Sequence, residues 1–575
     1  MPEVLILPEI HNTVITPPKK LKVVLVGLCS YRNFPVRVMH PMLEKIPGVE
    51  VHSIFVKEFE GRLYHQLTEK EKKYFCDLIQ RFEPDLVAFS VLYPFFPITK
   101  TLMKLIKQVA PSAHILLGGH HPTTCPELCV KQAPEADILC VGEGDYAIVK
   151  LVEALRDNKP YHNIENLWVR HNGTVVQNQR GALLEDLDSL PFPAYSKDEF
   201  YFIDKNTLSQ HDPLPQYKDL YVMGSRGCPF LCTFCGNTVL RGDFKGLGKF
   251  IRRRSVDSLL AEIKEHLSLP NNKTQFVFFF DENFSLEMDW LDEFCTKYKK
   301  EIGLPFQVSY NPHRLGPELI EKLVDAGLDS LRIGIQTGSD FIRRKVYNRP
   351  GKNSDLIEIT RNSAKHNISM RHDIILDNPY ETEEHIKEAI DLLLQLPKAS
   401  HTDLYSLQYY PNFPLTKKAL EDKIIPPLEE ISDEDIEKTS TDVAYVPFLF
   451  PFTQKQWLQN TLWLIKGDHV SHKLVKYAAF GNSFGSKICL QYMNLKAVLL
   501  GKIVGDGGLV DKYPWLMFTI KGLAFIIKGD FKGFWKRVER RLALKRDFAF
   551  AQSFEKGKGP GIKSVMPWSR HYQSS

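Results

Sequence analysis

The sequence predicts an α/β protein that begins with a doubly wound parallel sheet of the flavodoxin-like type, continues into a partial (β/α)6 barrel and ends in a helical region. Two separate stretches, in which strand-length apolar runs alternate with amphipathic helical patterns, predict the two sheets. Three cysteines within eight residues of the second stretch predict a chemical centre there. The expected boundaries are 1–157 for the first domain, 158–215 for a connector with a β-hairpin, 216–435 for the barrel and 436–575 for a basic C-terminal domain.

The composition is that of a globular protein, with 43% hydrophobic and 25% charged residues in a chain of 575. No run of about 18 apolar residues is present, so no membrane-spanning helix is expected. The first residues, MPEVLILPEIHN, have no basic segment before the apolar one, so no secretory signal is expected. Ten cysteines are too few for a disulfide scaffold of this length. A reducing, cytoplasmic setting is therefore expected, where clustered cysteines bind metal or act in redox chemistry.

The first domain is predicted from continuous apolar runs separated by helical patterns, which is typical of a buried parallel sheet. Ligands of such sheets bind beyond the carboxyl ends of the strands, where several glycines fall. The predicted strands are 22–27, 49–56, 85–92, 113–119 and 136–144, with helices at 36–46, 69–82, 98–109 and 145–156. In the connector, Asn172-Gly173 between two β-rich runs predicts a type I′ hairpin.

The barrel is predicted from six strand-like runs over about 190 residues, each followed by a helical pattern. Its catalytic residues are expected at the carboxyl ends of the strands. The predicted strands are 220–225, 275–281, 306–310, 330–336, 370–376 and 403–409, and examples of the helices are 256–267 and 317–327.

The sharpest motif is a C-x-x-x-C-x-x-C run, Cys228-Pro-Phe-Leu-Cys232-Thr-Phe-Cys235, directly after the first barrel strand. Three thiolates on one loop converge on a single metal centre. A cubane iron–sulfur cluster held by three cysteines keeps one iron open for a substrate or cofactor. Zinc is the competing interpretation and needs a fourth nearby ligand. Three buried cysteines without a metal are the remaining alternative.

These cysteines, with Phe234 before the last of them, resemble the signature of the radical S-adenosylmethionine superfamily. The resemblance implies a [4Fe–4S] cluster whose open iron binds the amino and carboxylate groups of S-adenosylmethionine. Reduction, by an electron donor such as flavodoxin or ferredoxin, then yields a 5′-deoxyadenosyl radical. The resemblance covers about 216–415.

Two further barrel segments resemble cofactor-binding segments of that superfamily. Asp281, Glu282 and Asn283 follow the second strand, where the family often places groups that meet the methionine amino end. A strand-end turn with solvated acids is the alternative for this segment. Gln336 stands in a Gly-Ile-Gln-Thr-Gly-Ser segment where the family often has Glu, and its amide is suited to hydrogen-bond a ribose.

Ahead of the barrel, two glycine-rich segments resemble the cobalamin-binding domain of the B12-dependent branch. Glycines at the strand ends let a flat corrin lie against the backbone. A ring-edge contact from a histidine is expected there, although no D-x-H-x-x-G motif is present in 1–157. Alternatives are a helix-capping turn in a domain that has lost its ligand and, more weakly, dinucleotide binding through a G-x-G-x-x-A match. The residues concerned are Gly118, Gly119, His120, Gly142, Glu143 and Gly144.

The resemblance implies a B12-dependent radical enzyme, with methyl transfer to an unactivated carbon or phosphorus of a small or lipid-like substrate as its commonest chemistry. In that scheme the 5′-deoxyadenosyl radical abstracts hydrogen and methylcobalamin donates the methyl group. A cyclase or rearrangement enzyme with the same cofactors, and a non-catalytic iron–sulfur or cobalamin sensor, are the alternatives. The reaction requires that the strand ends of both domains face one shared cavity.

The charge of the chain is concentrated at its C-terminus. Residues 511–575 contain 14 Lys and Arg but 5 Asp and Glu, and aromatic residues are interleaved with the cations. This pattern predicts either a solvated helical face or a membrane-surface contact. No recognised nucleic-acid motif accompanies the cations, so a nucleic-acid partner is not expected.

Overall fold

The structure, a computed structural model, describes 20–58, 66–312, 315–397, 401–433, 436, 453–466 and 470–504. The basic segment 511–575 lies outside the described residues, so the structure does not test the predicted interfacial helix there.

The first sheet has the strand order predicted for a flavodoxin-like domain. Its five central strands are parallel in the order β2-β1-β3-β4-β5, and each one overlaps a predicted strand. Their bounds are β1 (Leu21–Leu28), β2 (Val49–Val56), β3 (Leu86–Ser90), β4 (His114–Gly118) and β5 (Ile138–Cys140).

Helices cover both faces of this sheet because alternate strand residues point to opposite sides. Val24 and Val26 pack into one buried cluster, with α2 and α3, and Val23 and Leu25 into the other, with α1 and α6. The helices are α1 (Phe34–Glu44), α2 (Glu69–Phe82), α3 (Phe96–Val109), α4 (His120–Thr124), α5 (Pro126–Gln132) and α6 (Asp145–Arg156).

Residues 158–215 extend the same sheet at both edges. A hairpin of β6 (Leu167–His171) and β7 (Thr174–Gln177) pairs antiparallel with β5, and β8 (Phe200–Asp204), followed by β9 (Thr207–Ser209), pairs parallel with β2. Asn172 and Gly173 both have positive φ, 49° and 77°, which confirms the predicted hairpin turn.

The second sheet is a partial barrel of six parallel strands in chain order, with β10 and β17 at its edges. All six predicted strands are present; β14 has the predicted bounds, and the other five have shifted ends. The strands are β10 (Asp219–Val222), β13 (Phe276–Phe279), β14 (Phe306–Tyr310), β15 (Leu328–Gln336), β16 (Ser369–Leu376) and β17 (His401–Ser406), and β11 (Ser225–Arg226) and β12 (Arg252–Arg253) form a small antiparallel ribbon. The helices are α7 (Gly236–Asp243), α8 (Val256–Leu267), α9 (Met288–Glu301), α10 (Pro317–Asp325), α11 (Asn353–Lys365), α12 (Glu383–Gln395) and α13 (Pro414–Glu421).

Three further helices, α14 (Gln454–Lys466), α15 (His472–Phe480) and α16 (Phe484–Val504), pack on the outside of the barrel. Leu458, Val475 and Met493 enter the buried cluster that the barrel strands and α12 share. Within the described residues, no helix has the length and hydropathy needed to cross a bilayer.

Candidate active site between the two sheets

The carboxyl ends of the strands in both sheets face one cavity of about 430 Å³. This finding confirms the shared cavity that the sequence analysis requires. From the first sheet the cavity is lined by Gly118, Gly119, His120, Gly142, Glu143, Gly144 and Asp145; the barrel contributes Ser225, Arg226, Gly227, Asn237, Phe280 and Glu282, among others.

The three cysteines lie on the loop between β11 and α7. Hydrogen bonds within this loop and to the segment 347–348, which follows β15, hold its backbone. The Cys235 amide donates to the Cys232 carbonyl at 3.0 Å, and Cys235 is the N-cap residue of α7. The Thr233 amide donates to the Tyr347 carbonyl at 3.1 Å, and Asn348 Nδ2 donates to the Leu231 carbonyl at 2.9 Å. These hydrogen bonds hold the backbone of the cysteine loop against α7 and against the segment 347–348.

Phe234 anchors the loop through its ring. The ring meets that of Tyr347 edge to face, with centroids 4.9 Å apart. Both rings belong to a small apolar cluster with Ile342, Leu407 and Leu415. The structure thus gives Phe234 a packing role directly beside the cysteines.

Polar groups approach the thiols, which lie in a desolvated setting. Arg349 Nη1 lies 3.3 Å from Cys232 Sγ, and Asn237 Nδ2 lies 3.9 Å from Cys235 Sγ. Burial raises the pKa of the Cys228 thiol to about 11 and that of Cys235 to about 12. Both thiols therefore need a metal to lose their protons at neutral pH.

The spacing of the cysteine sulfurs bears on the choice between zinc and a cluster. In the described part of the chain, the three sulfurs do not all lie within 4.8 Å of one another. A single zinc ion with Zn–S bonds of about 2.3 Å would hold its ligands closer than that. The three sulfurs are therefore not arranged as the ligands of a single zinc ion would be.

Asp281, Glu282 and Asn283 are consecutive, but their side chains go to three different places. Asp281 is 3% exposed and accepts hydrogen bonds from the Gly224 amide, at 3.1 Å, and from Ser225 Oγ. It therefore braces the turn that leads into the cysteine loop.

Of these three residues, Glu282 lines the cavity, where its carboxylate accepts from Asn237 Nδ2. Burial raises the pKa of Glu282. Asn283 is buried, and its side-chain oxygen accepts from the Asn311 amide at 3.0 Å. Of the three side chains, the Glu282 carboxylate is therefore the one that faces the cavity.

Gln336 ends β15 in a left-handed conformation, with φ 69°. Its amide folds back over Gly334, where an added Cβ would collide with Gln336 Nε2. The Gly334 carbonyl accepts from Arg349 Nη2 at 2.7 Å. The structure therefore places Gln336 on the barrel side, near the arginine that contacts Cys232.

The glycines of the first sheet are required for different reasons. Gly119 has φ 98° and ψ −167°, a region used almost only by glycine, and a Cβ there would lie 2.7 Å from the Val91 amide nitrogen. A Cβ on Gly142 would lie 2.5 Å from Asn166 Oδ1. The fold itself thus accounts for these two glycines, a reason the sequence analysis did not give.

Gly118 and Gly144 line the cavity under lighter constraints from the protein. A Cβ on Gly118 would meet nothing nearer than 3.6 Å, and one on Gly144 would meet Met39 Cε at 3.0 Å. No close protein contact explains Gly118. It is therefore the best candidate for a glycine kept for a ligand.

His120 joins the two domains. A Cβ on Gly236, the residue after Cys235, would collide with His120 Nε2, and the His120 ring lies edge-on to that of Phe413. Burial lowers the pKa of His120, so it is neutral at pH 7. Its neighbour His121 is 1% exposed and packs between the rings of Tyr93 and Phe96, inside the first domain.

Two pairs of charged residues clamp the rims of the cavity together, and the sequence analysis missed them. Glu143 accepts two hydrogen bonds of 2.8 Å from Arg252, and Asp145 accepts two from Arg226, at 2.7 and 2.9 Å. Burial acts to raise the pKa of Asp145, but its hydrogen bonds and ion pair with Arg226 outweigh burial, and the pKa is lowered. The position of Arg226, two residues before Cys228, could have indicated a role at the site. No local pattern in the sequence identifies Asp145 as its partner.

Comparison with known proteins gives two domain matches. Residues 222–393 match the Radical SAM superfamily, and residues 47–152 match the B12 binding domain. An uncharacterized methyltransferase of Pyrococcus horikoshii is 24% identical over 325 residues, which are 56% of this chain and 66% of that protein. An anaerobic magnesium-protoporphyrin IX monomethyl ester cyclase of Cereibacter sphaeroides is 24% identical over 322 residues, 54% of this chain and 50% of that protein. The chain thus spans half to two thirds of the length of these relatives.

A solved structure confirms the fold of the two domains together. The cobalamin-dependent S-adenosylmethionine radical enzyme OxsB, with aqua-cobalamin and S-adenosylmethionine bound, is similar with a TM-score of 0.58 and 17% identity. The match covers 92% of this chain and 81% of OxsB.

The residues present fit the cofactors that the two domain matches imply: a [4Fe–4S] cluster, S-adenosylmethionine and cobalamin. Three cysteines on one preformed loop fit a cluster with an open iron. Glu282 offers a cavity-facing carboxylate for an ammonium group. Gly118 lines the cavity, and no protein atom beyond its chain neighbours lies nearer than 3.6 Å to the position that its Cβ would take. Without a side chain, its backbone is accessible to a flat ligand.

Proposed function

Because the chain belongs to the radical S-adenosylmethionine superfamily and carries a B12-binding domain ahead of its barrel, we propose that it is a cobalamin-dependent methyltransferase. Its acceptor is an unactivated carbon, or a phosphorus, of a small or lipid-like substrate. The observation that carries the proposal is the shared cavity, because methyl transfer requires the cluster side and the corrin side to reach one substrate atom.

In this proposal the two rims divide the cofactors between them. Cys228, Cys232 and Cys235 hold the cluster, and Glu282 receives the ammonium group of S-adenosylmethionine. The first rim, from Gly118 to His120 and from Gly142 to Gly144, receives cobalamin. When bound, these cofactors supply hydrogen-atom abstraction from an unactivated position and a transferable methyl group.

The chain's own residues orient the cofactors and exclude water. The ion pairs Glu143–Arg252 and Asp145–Arg226 fix the distance between the rims. His120 packs against Gly236 beside the cysteine loop and lines the cavity on that side. A dry, rigid cavity keeps a reactive intermediate from side reactions with solvent.

A cyclase or rearrangement enzyme that uses the same cofactors is the second candidate. The cyclase relative favours it, at the same identity as the methyltransferase relative. A non-catalytic sensor has less support, because it has no need for a substrate-sized cavity between the two rims.

The test is product analysis with the anaerobically reconstituted protein, S-adenosylmethionine and a reductant such as reduced flavodoxin or ferredoxin. Formation of 5′-deoxyadenosine together with S-adenosylhomocysteine, the latter only when cobalamin is present, supports methyl transfer. Formation of 5′-deoxyadenosine with no cobalamin-dependent S-adenosylhomocysteine, in the presence of a converted substrate, supports the cyclase. If a protein with full iron and cobalamin content forms neither product in the presence of a substrate that it demonstrably binds, both candidates are contradicted.

We also propose that the C-terminal region contacts an anionic membrane surface. One face of α16 exposes an apolar stripe, and Lys473, Lys476 and Lys487 are exposed near it. Basic residues beside an exposed apolar face are typical of an interfacial helix. The stripe has helical spacing and consists of Phe484, Ile488, Tyr492, Leu495 and Leu499.

Liposome flotation tests this contact. Wild-type protein should float with anionic vesicles and less with neutral ones, and the variant Ile488→Ser/Leu495→Ser and a truncation after residue 510 should both lose flotation. Leu208→Ser, at an exposed leucine of the first domain, is the control. If the double variant floats like wild type but has a smaller mass in solution, the stripe is a contact between copies and the membrane proposal is wrong.

A further inference from the structure

A buried histidine outside the active cavity has an unsatisfied ring nitrogen. His40, on α1, is fully buried, and its Nδ1 lies 2.9 Å from Ser53 Oγ. Its Nε2 is also buried and has no hydrogen-bond partner. A buried polar atom left unpaired destabilises the folded protein, so such an atom calls for a ligand or another explanation.

Two carboxylates lie beside this histidine. Glu44 follows one turn later on α1, and Glu199 directly precedes β8. A ring nitrogen of His40 and one carboxylate oxygen from each glutamate all lie within 4.8 Å of one another. The pairing of β2 with β8 sets this arrangement, because the Ser53 amide donates to the Glu199 carbonyl at 2.9 Å.

We propose that His40 Nε2, Glu44 and Glu199 form a binding site for a divalent transition-metal ion, and that the ion is Zn²⁺. A mixed set of one imidazole and two carboxylates suits a borderline ion, and Zn²⁺ binds such sets more tightly than Mn²⁺ or Fe²⁺. The Nδ1–Ser53 contact orients the ring, as outer partners of metal-binding histidines do. The glutamates are less buried than His40 and leave positions open for water.

Two observations about charge are consistent with the site. Burial lowers the pKa of His40 to about 4, so at neutral pH the imidazole is uncharged, which is the form that binds metal. Lys197 Nζ, however, lies 2.9 Å from Glu44 Oε2 and competes for that carboxylate. Metal binding therefore displaces Lys197, and removal of Lys197 should tighten it.

The location indicates what the ion does. Phe34, Val36 and Met39, in the first part of α1, line the shared cavity. His40 and Glu44, one and two turns after Val36, do not line it, and His40 contacts β2 through Ser53. An ion at this site ties α1 to the edge of the first sheet behind the cavity. It is therefore expected to stabilise the first domain without entering the reaction, and it does not depend on the proposed methyl transfer.

The test is zinc affinity of the full-length, cluster-loaded protein, measured by competition with a chromogenic chelator, with bound metal counted by elemental analysis. We expect one zinc per chain, and a higher melting temperature when zinc is present. Glu44→Gln and Glu199→Gln should each weaken zinc binding at least tenfold. Lys197→Gln should tighten it several-fold, a gain that loss of structure would not produce.

Two controls separate this site from others. Glu153→Gln changes an exposed carboxylate on α6 and should leave zinc affinity unchanged. The triple variant Cys228→Ala/Cys232→Ala/Cys235→Ala should still bind one zinc, because the site contains no cysteine. The proposal is overturned if no stoichiometric zinc binds, if the triple variant loses it, or if Glu44→Gln and Glu199→Gln bind zinc as wild type does.

Discussion

The two rims of the cavity both lie at the carboxyl ends of parallel strands, yet they are built in opposite ways. The rim of the first sheet presents backbone, with glycines where a Cβ would collide or would narrow the cavity, and its two carboxylates are engaged by arginines. The barrel rim presents side chains, among them Arg226, Asn237 and Glu282. The cysteine loop lies next to this rim and is held by hydrogen bonds with 347–348. Substitutions on the first rim should therefore lower stability or weaken cofactor binding. Substitutions on the barrel side should abolish activity while the fold stays intact.

The largest expected effect is on the barrel rim. Cys232→Ala should abolish iron incorporation and 5′-deoxyadenosine formation while the melting temperature of the metal-free protein stays close to wild type, because the backbone contacts of the loop remain. Iron and sulfide analysis and product detection are the measurements. Cys76→Ala, on α2, is the control and should retain both iron and product. A Cys232→Ala protein with full iron content would break the comparison.

The next effect is on the rim of the first sheet. Substitution of Gly119, on this rim, should destabilise the protein more than substitution of Gly173, in the hairpin between β6 and β7. Gly119→Ala should destabilise the protein by about 3 kcal/mol, from backbone strain and the contact with Val91. Gly173→Ala, at a positive-φ glycine with nothing within 4 Å, should cost only about 1 kcal/mol. Chemical denaturation measures both, and equal losses would show that the Val91 contact adds nothing.

Gly118, which precedes Gly119, should respond in the opposite way, with little loss of stability and weaker cofactor binding. Gly118→Ala should change the free energy of unfolding by less than about 0.5 kcal/mol, because the nearest protein atoms lie at ordinary contact distances. It should nevertheless weaken cobalamin binding, which the absorption spectrum of the bound corrin reports. Unchanged cobalamin affinity would mean that this part of the rim does not touch the cofactor.

A smaller effect is expected at the clamp between the rims. Asp145→Asn keeps a hydrogen-bond acceptor but removes the charge, so we expect a loss of about 1–2 kcal/mol. Because the pKa of Asp145 is lowered in the folded protein, its contribution is complete above the unfolded pKa of about 3.9 and is lost as pH falls through the folded value. The difference in melting temperature between wild type and Asp145→Asn should therefore shrink below about pH 4. A difference of the same size at pH 3 as at pH 7 would contradict an ionic clamp.

The smallest expected effect is on the reduction potential of the cluster. Arg349→Gln removes a donor 3.3 Å from Cys232 Sγ. Hydrogen bonds to cluster sulfurs stabilise the more negative, reduced state, so we expect a lower reduction potential with iron content retained. A redox titration followed by electron paramagnetic resonance measures it, with the exposed Arg344→Gln as control. An unchanged reduction potential in Arg349→Gln would show that Arg349 positions the cysteine loop but does not tune the cluster.

The sequence by itself determined the elements and the chemical class. Apolar periodicity is a local property, so all eleven predicted strands of the two sheets are present, and β2 and β14 have the predicted bounds. The cysteine spacing is equally local, as is the Asn172-Gly173 turn. These features need no knowledge of what lies elsewhere in the chain.

Tertiary structure decided where the side chains go and what the connector becomes. Nothing in the sequence separates Glu282, at the cavity, from Asp281 and Asn283, which brace turns, because that choice depends on how a strand end twists against its neighbours. Glu143 meets Arg252 across 109 positions of sequence, and residues 158–215 become strands at both edges of the first sheet. Such contacts form only after two sheets have packed together, and no local pattern encodes the distance between them.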